Sequence, residues 1–276
     1  MTAHHVDTPR RSVEATIELP ASSEEVWRAI TDASEIVKWF CFEAEIGAGP
    51  GALARLRWTD EFDWTYRIEA WEPGRRLRMV SAQERSDDPA LLALEWLLEA
   101  RGGATVLRVV HSGFGYGAEW DDEVDGTGRG WYGELRNLRH YLAHHRGKRR
   151  SVAWLLARTA GETAATLWSK LMGRDGLVAE GSLEGLGEGD RYRIRAATGE
   201  VFEGTVLMNS VPKDFAGTVD HLNDGILRYG WEGSFGTVWL TTYEVDEKKI
   251  DRFVAEWSGR MTRLLGSAPE VTRARS

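Results

Sequence analysis

The sequence predicts an α+β protein of two helix-grip domains, each a curved antiparallel sheet wrapped around a long C-terminal helix. Three observations carry that expectation. Short segments alternate apolar and polar residues, turn residues punctuate them, and the tetrapeptide RRSV stands at Arg10 to Val13 and again at Arg149 to Val152. A length of 276 residues suits two domains better than one core.

The first element is a strand in which Val13, Ala15, Ile17 and Leu19 alternate with Glu14, Thr16 and Glu18, ended by Pro20. Ser22 and Glu25 then form a capping box, in which each satisfies a backbone amide of the other's turn, for a helix with an apolar stripe of Val26, Trp27 and Ile30. A second short helix, around Ala33 to Lys38, leads to the pair Trp39 and Phe40. Alternation marks four further strands, with Ala52, Ala54, Leu56 and Trp58 on one face, then Trp64, Tyr66, Ile68 and Ala70, then Leu94, Trp96 and Leu98, then Leu107, Val109 and His111. Short turns such as Glu72 to Arg76 make neighbouring strands antiparallel. After Phe114 comes a glycine-containing acidic loop, read as a surface insertion or a gate. The closing helix carries Trp131, Leu135, Leu138 and Leu142 at helical spacing. A sheet with one apolar face must bury it, and that helix is the available filler; incomplete filling leaves an elongated apolar pocket.

The second RRSV opens a divergent copy. Trp168 answers Trp27, Pro212 answers Pro73, and FGTVWLTTY answers GATVLRVV, while Phe253, Trp257, Met261 and Leu264 share one face of a second closing helix. The domains are placed at residues 10–147 and 148–267. The second copy lacks a counterpart of Trp39 and Phe40. Its glycine-rich stretch, Glu180 to Asp190, has no following Lys-Ser/Thr and opens no helix, so it reads as a hairpin or loop rather than a phosphate cradle.

PASSEEVWRAITDASEIVKWF, the turn WEPGRRL, the strand end HSGF, and GW followed by LRNLRHYL resemble the START-like, or SRPBCC, superfamily. Within it they are similar to the group named after the activator of heat-shock protein 90 ATPase, over roughly residues 12–145. The resemblance implies a helix-grip fold with a cavity between sheet and long helix. The superfamily also holds lipid carriers, plant hormone receptors and polyketide aromatases or cyclases.

Composition narrows the rest. A net charge of -8 offers no basic field for nucleic acid, and no apolar run is long enough to span a bilayer, so neither nucleic acid nor membrane is expected as a partner. The N-terminal stretch has no apolar core behind its charges, and with the single cysteine, Cys41, this points to the cytoplasm. Thirteen tryptophans favour a wide core or a cavity walled by indoles.

The wall candidates are Trp58, Trp64, Tyr66 and Trp96, with Trp39, Phe40, Phe114 and Trp131 near the entrance or on the helix. Apolar walls and apolar cores share one sequence pattern, so each reads equally as packing. His111 faces the interior by alternation, where an imidazole can orient a ligand carbonyl, act as acid or base, or be satisfied by a neighbour. No activated serine or cysteine accompanies it. Asp121, Glu123 and Asp125 resemble half a calcium loop, but Tyr132 stands where the bidentate Glu belongs. His140 and His144, four apart without a third ligand, read as surface histidines. Neither a metal nor a cofactor is expected. The expected function is non-catalytic binding of a small hydrophobic or aromatic ligand in the first domain, the second stabilising it or meeting a protein partner. An aromatase/cyclase-like enzyme and a co-chaperone-type module acting on a heat-shock ATPase are the alternatives.

Overall fold

The computed structural model describes residues 10–82, 92–159 and 161–276; the N-terminal stretch read above for a leader lies outside the described residues. The chain divides into two compact units. One comprises the residues up to Ile36 together with Glu43–Trp131, the other Val37–Phe42 and Tyr132–Ser276.

In the first unit the elements are β1 (Arg11–Leu19), α1 (Ser23–Thr31), α2 (Ala33–Ile36), β2 (Glu43–Ile46), β3 (Leu53–Arg57), β4 (Asp63–Glu72), β5 (Arg76–Ser81), β6 (Ala93–Arg101) and β7 (Ala104–Phe114). The sheet runs β1-β7-β6-β5-β4-β3-β2, and its neighbours pair antiparallel. The alternation read from sequence becomes one buried face, with Val13, Ile17, Leu56, Ile68, Met79, Leu94, Trp96, Leu107 and Val109 inside. The capping box forms as expected: Ser22 Oγ accepts from the Glu25 amide while Glu25 Oε2 accepts from the Ser22 amide at 2.8 Å. Trp27 on α1 packs edge-on to Trp71 with ring centroids 5.1 Å apart.

The expected loop after Phe114 is instead mostly helix. α3 runs Ala118–His140, and only Gly115 to Gly117 separate it from β7. The acidic residues Asp121 to Glu123 fall in its opening turns, where the helix dipole favours negative charge, and Arg129 Nε bonds Asp125 across one turn at 2.9 Å. A Cβ on Gly115 would stand 2.4 Å from Trp120 Nε1, so the tight exit from β7 requires glycine there. The residues of α3 up to Trp131 belong to the first unit.

The second unit repeats the topology. Its sheet contains β8 (Arg150–Arg158), β9 (Val178–Glu180), β10 (Arg191–Ala196), β11 (Val201–Ser210), β12 (Asp214–Val219), β13 (Gly225–Trp231), β14 (Phe235–Tyr243) and β15 (Glu270–Arg275), in the order β15-β8-β14-β13-β12-β11-β10-β9. Without β15 this is the first sheet's order shifted by seven strands. The anchors seen in sequence fall on equivalent elements. Trp168 lies in α4 (Ala164–Met172) as Trp27 lies in α1, Pro212 sits between β11 and β12 as Pro73 sits between β4 and β5, and each RRSV runs into the first strand of its unit. The closing helix α5 (Glu247–Leu265) buries Ile250, Phe253, Trp257 and Met261 against Phe202, Leu227 and Val238.

Two departures have physical causes. β8 does not alternate because both its faces are covered: Ala153, Leu155 and Ala157 face the α5 side, while Trp154 packs against Trp239 at 4.8 Å and Phe42 at 5.9 Å. A strand buried on both faces loses its polar positions. β15, beyond residue 267, pairs with β8 although its polar sequence EVTRAR gives no strand pattern; Arg273 and Arg275 tie it to Glu247, each at 2.7 Å. No helix among the described residues is long and apolar enough to cross a membrane.

Candidate functional site

The interior of the first unit is built by register. β6 and β7 pair Leu94 with His111, Trp96 with Val109 and Leu98 with Leu107, so these residues form one inward layer. Trp131 of α3 meets that layer: its indole stands edge-on to Trp96 at 5.1 Å and donates Nε1–H to His111 Nδ1 at 3.3 Å. The His111 ring lies 5.0 Å from the ring of Phe114, which in turn meets Trp120 edge-on at 6.1 Å. Four of the residues singled out in sequence, Trp96, His111, Phe114 and Trp131, are thus one aromatic cluster.

Its electrostatics follow from one donor. An indole nitrogen can only donate, so His111 Nδ1 is the acceptor and the neutral ring carries its proton on Nε2. That Nε2 is buried and has no hydrogen-bond partner among the described residues. Burial also pushes the His111 pKa down to about 4, since charging the ring would strand a cation in apolar surroundings. Burial pushes the Tyr66 hydroxyl up to about 12, which keeps it neutral. Both residues are thus neutral polar groups on the buried side of the first sheet.

The remaining named residues lie elsewhere. Trp58 and Trp64 stand edge-on at 5.3 Å at the hairpin joining β3 and β4, with Phe62 5.9 Å from Trp64. Trp64 shares the inward parity of Tyr66 but, near the strand's start, is 38% exposed. Trp39 and Phe40 stack at 5.0 Å within the Val37–Phe42 segment that groups with the second unit. Their carbonyls are anchored: Asn137 Nδ2 donates to Trp39 O, and Arg150 Nη1 donates to the carbonyls of Val37, Phe40 and Cys41 at 3.2, 3.1 and 3.2 Å.

Sequence reasoning missed Arg150 as a buried cation, although it is the second arginine of the repeated RRSV. It also placed His140 on the surface. His140, at the end of α3, is buried with its Nε2 2.6 Å from the Asp224 carbonyl, and His145 is buried in the π turn, Tyr141–His145, that follows. In the second unit Glu134, Asn137, Arg150, Arg228 and Trp239 line a cavity of about 20 Å³, room for roughly one water. The hydroxyl of Tyr229 and Nε1 of Trp257 are likewise buried without partners among the described residues of that unit.

An antiparallel sheet, a closing helix whose tryptophan meets its inner face, and a second copy of the same strand order define a tandem α+β protein with a helix-grip arrangement. Residues 20–143 match the family model described as activator of Hsp90 ATPase homolog 1-like protein, which upholds the resemblance read from the motifs. Over half its length the chain is similar to the Aha1 dimer of Colwellia psychrerythraea, solved in solution, with 19% identity, a TM-score of 0.44, and 50% of this chain and 99% of that one covered. Two solved structures span nearly all of it. DynU16, from the dynemicin biosynthetic locus, is 17% identical with a TM-score of 0.43, covering 94% of this chain and 97% of its own. The di-domain ARO/CYC BexL, from the BE-7585A biosynthetic pathway, is 17% identical with a TM-score of 0.41, covering 93% and 96%. No curated protein matches the chain.

Proposed function

We propose that the protein binds a small hydrophobic or aromatic molecule, without transforming it, in the grip of its first repeat, residues 10–147, while the second repeat, 148–267, supports the fold. The observation that carries this reading is the His111 Nε2–H group, a buried donor with no acceptor among the described residues, set in a cluster with Trp96, Phe114 and Trp131. Buried donors are nearly always satisfied, and a ligand carbonyl or hydroxyl would satisfy this one. Apolar contact with the indoles would supply most of the affinity.

The titration behaviour favours binding over turnover. A proton-transfer catalyst works best with a pKa near the working pH, and a ring held near 4 is a weak base and carries no spare proton at neutral pH. The test is a titration of the full chain with paired aromatic ligands that differ only in a carbonyl. His111→Phe should weaken the carbonyl-bearing ligand by about 3- to 10-fold and leave its hydrocarbon partner unchanged. Equal effects on both ligands would overturn the assigned contact, and consumption of either ligand, lost in the variant, would favour the enzymatic alternative.

A further inference from the structure

A cluster of three histidines in the second unit takes no part in the site just described. His140 ends α3, and His144 and His145 lie in the π turn that follows. A π turn closes its hydrogen bonds between residues five apart, which sets position 145 above position 140 rather than a third of a turn away. Nε2 of His140 and Nε2 of His145 stand 3.2 Å apart, and both face the main-chain oxygen of Asp224, at 2.6 and 3.3 Å. That oxygen is held in place by two consecutive left-handed residues, Asn223 at φ 53° and Asp224 at φ 51°. The His145 ring is fixed by lying flat on Tyr243, with centroids 4.0 Å apart and planes 10° apart. The exposed His144 ring completes the group, its centroid 5.0 Å from that of His140 and 6.2 Å from that of His145.

Two imidazole nitrogens and a carbonyl oxygen face one point, with a third imidazole beside them, and together these are the donor types of a borderline divalent cation. Two nitrogens each about 2.05 Å from a tetrahedral ion lie roughly 3.3 Å apart, close to the separation of the two Nε2 atoms here. One proton on His140 Nε2 serves the Asp224 carbonyl, and the His145 Nε2 lone pair is then left facing the same point. Among the described residues no three His, Cys, Asp or Glu side chains already stand in ligand positions, so the set closes only when the exposed His144 ring turns inward. We propose that His140, His144 and His145, with the Asp224 carbonyl, bind a divalent transition metal of the zinc, cobalt and nickel class. Burial holds His140 and His145 in the neutral form, the form that ligates.

The test titrates the full chain, freed of metal by a chelator, with Zn(II) by calorimetry and with Co(II) by visible absorbance. One ion per chain is expected, with the intense Co(II) bands of a four-coordinate site. His144→Ala should weaken binding by more than about tenfold, and because that ring is exposed its circular dichroism should match wild type. His140→Gln should do the same, with folding checked separately. His4 and His5 form another imidazole pair in the sequence, so a His4→Ala/His5→Ala variant is titrated alongside and should bind as wild type does. Absence of stoichiometric binding, binding indifferent to His144→Ala, or binding lost with His4 and His5 would each overturn the site.

Discussion

Trp131 Nε1 donates to His111 Nδ1 across 3.3 Å, and this contact decides which nitrogen of the histidine carries its proton. Helix α3 therefore does more than fill the first sheet's concave face: it sets the polarity of the one titratable group in the layer of Trp96 and Val109.

The tautomer itself is measurable. Nitrogen-15 spectra of the histidine rings should place the His111 proton on Nε2 in wild type. Trp131→Phe removes the donor, should release the proton to either nitrogen, and should cost about 1–3 kcal/mol of stability through the unpaired acceptor and lost indole contacts. An unchanged tautomer in the variant would show that another group sets it.

Acid should destabilise the protein through its buried histidines. The folded pKa values of His111 and His145 are both depressed to about 4, against about 6.5 in an unfolded chain. The unfolded state alone takes up protons between those values, so stability is full above pH 6.5 and falls as the pH drops towards 4, by up to about 3 kcal/mol per ring. Around His145 the charged neighbours that act on it are Lys148, His140 and His144, all of which oppose its protonation. Urea midpoints measured from pH 7 to pH 4 should show the decline, and His111→Gln should flatten part of it.

Much of the fold was legible because one-sided burial writes itself as alternation, as in Leu107, Val109 and His111. The repeat was legible for the same reason, since Trp168 and Pro212 occupy the equivalents of Trp27 and Pro73. What stayed hidden was set by contacts that leave no period. β8 reads as a featureless apolar run because Phe42 and Trp239 cover its second face. The glycines and acids of Asp121 to Gly130 argue for a loop locally, but a tertiary setting that packs Trp120 on Phe114 makes them helical. His140 was misplaced because its partner, the Asp224 carbonyl, is 84 residues away in sequence and leaves no mark in the helix pattern. Of the wall candidates, alternation could place Trp96 and His111 inside, yet only the structure separates them from Trp58 and the exposed Trp64 at the hairpin of β3 and β4.

Arg150 should be a structural cation. It is 2% exposed, and its Nη1 serves three carbonyls of the Val37–Phe42 segment. Arg150→Met keeps the length of the side chain and strands those acceptors, so a loss of roughly 2–4 kcal/mol is expected in chemical denaturation. A loss below about 1 kcal/mol would mean that the carbonyls find other donors.

Gly115→Ala tests the packing that makes the start of α3 helical. The added methyl would collide with the Trp120 indole at 2.4 Å, so Trp120 must move off Phe114. A destabilisation of about 1–3 kcal/mol with a red-shifted tryptophan emission is expected.

The most direct test of the proposed ligand site uses the protein's own tryptophans as reporters. The full chain, labelled with nitrogen-15 at its indoles, is titrated with an apolar aromatic ligand while the thirteen Nε1–H signals are followed. Binding in the first grip should shift the signals of Trp131 and Trp96 in a saturable way and leave those of Trp257 and Trp154 in place. Saturable shifts at Trp257 with Trp131 and Trp96 unmoved would contradict the assignment, as would no saturable shift at any indole.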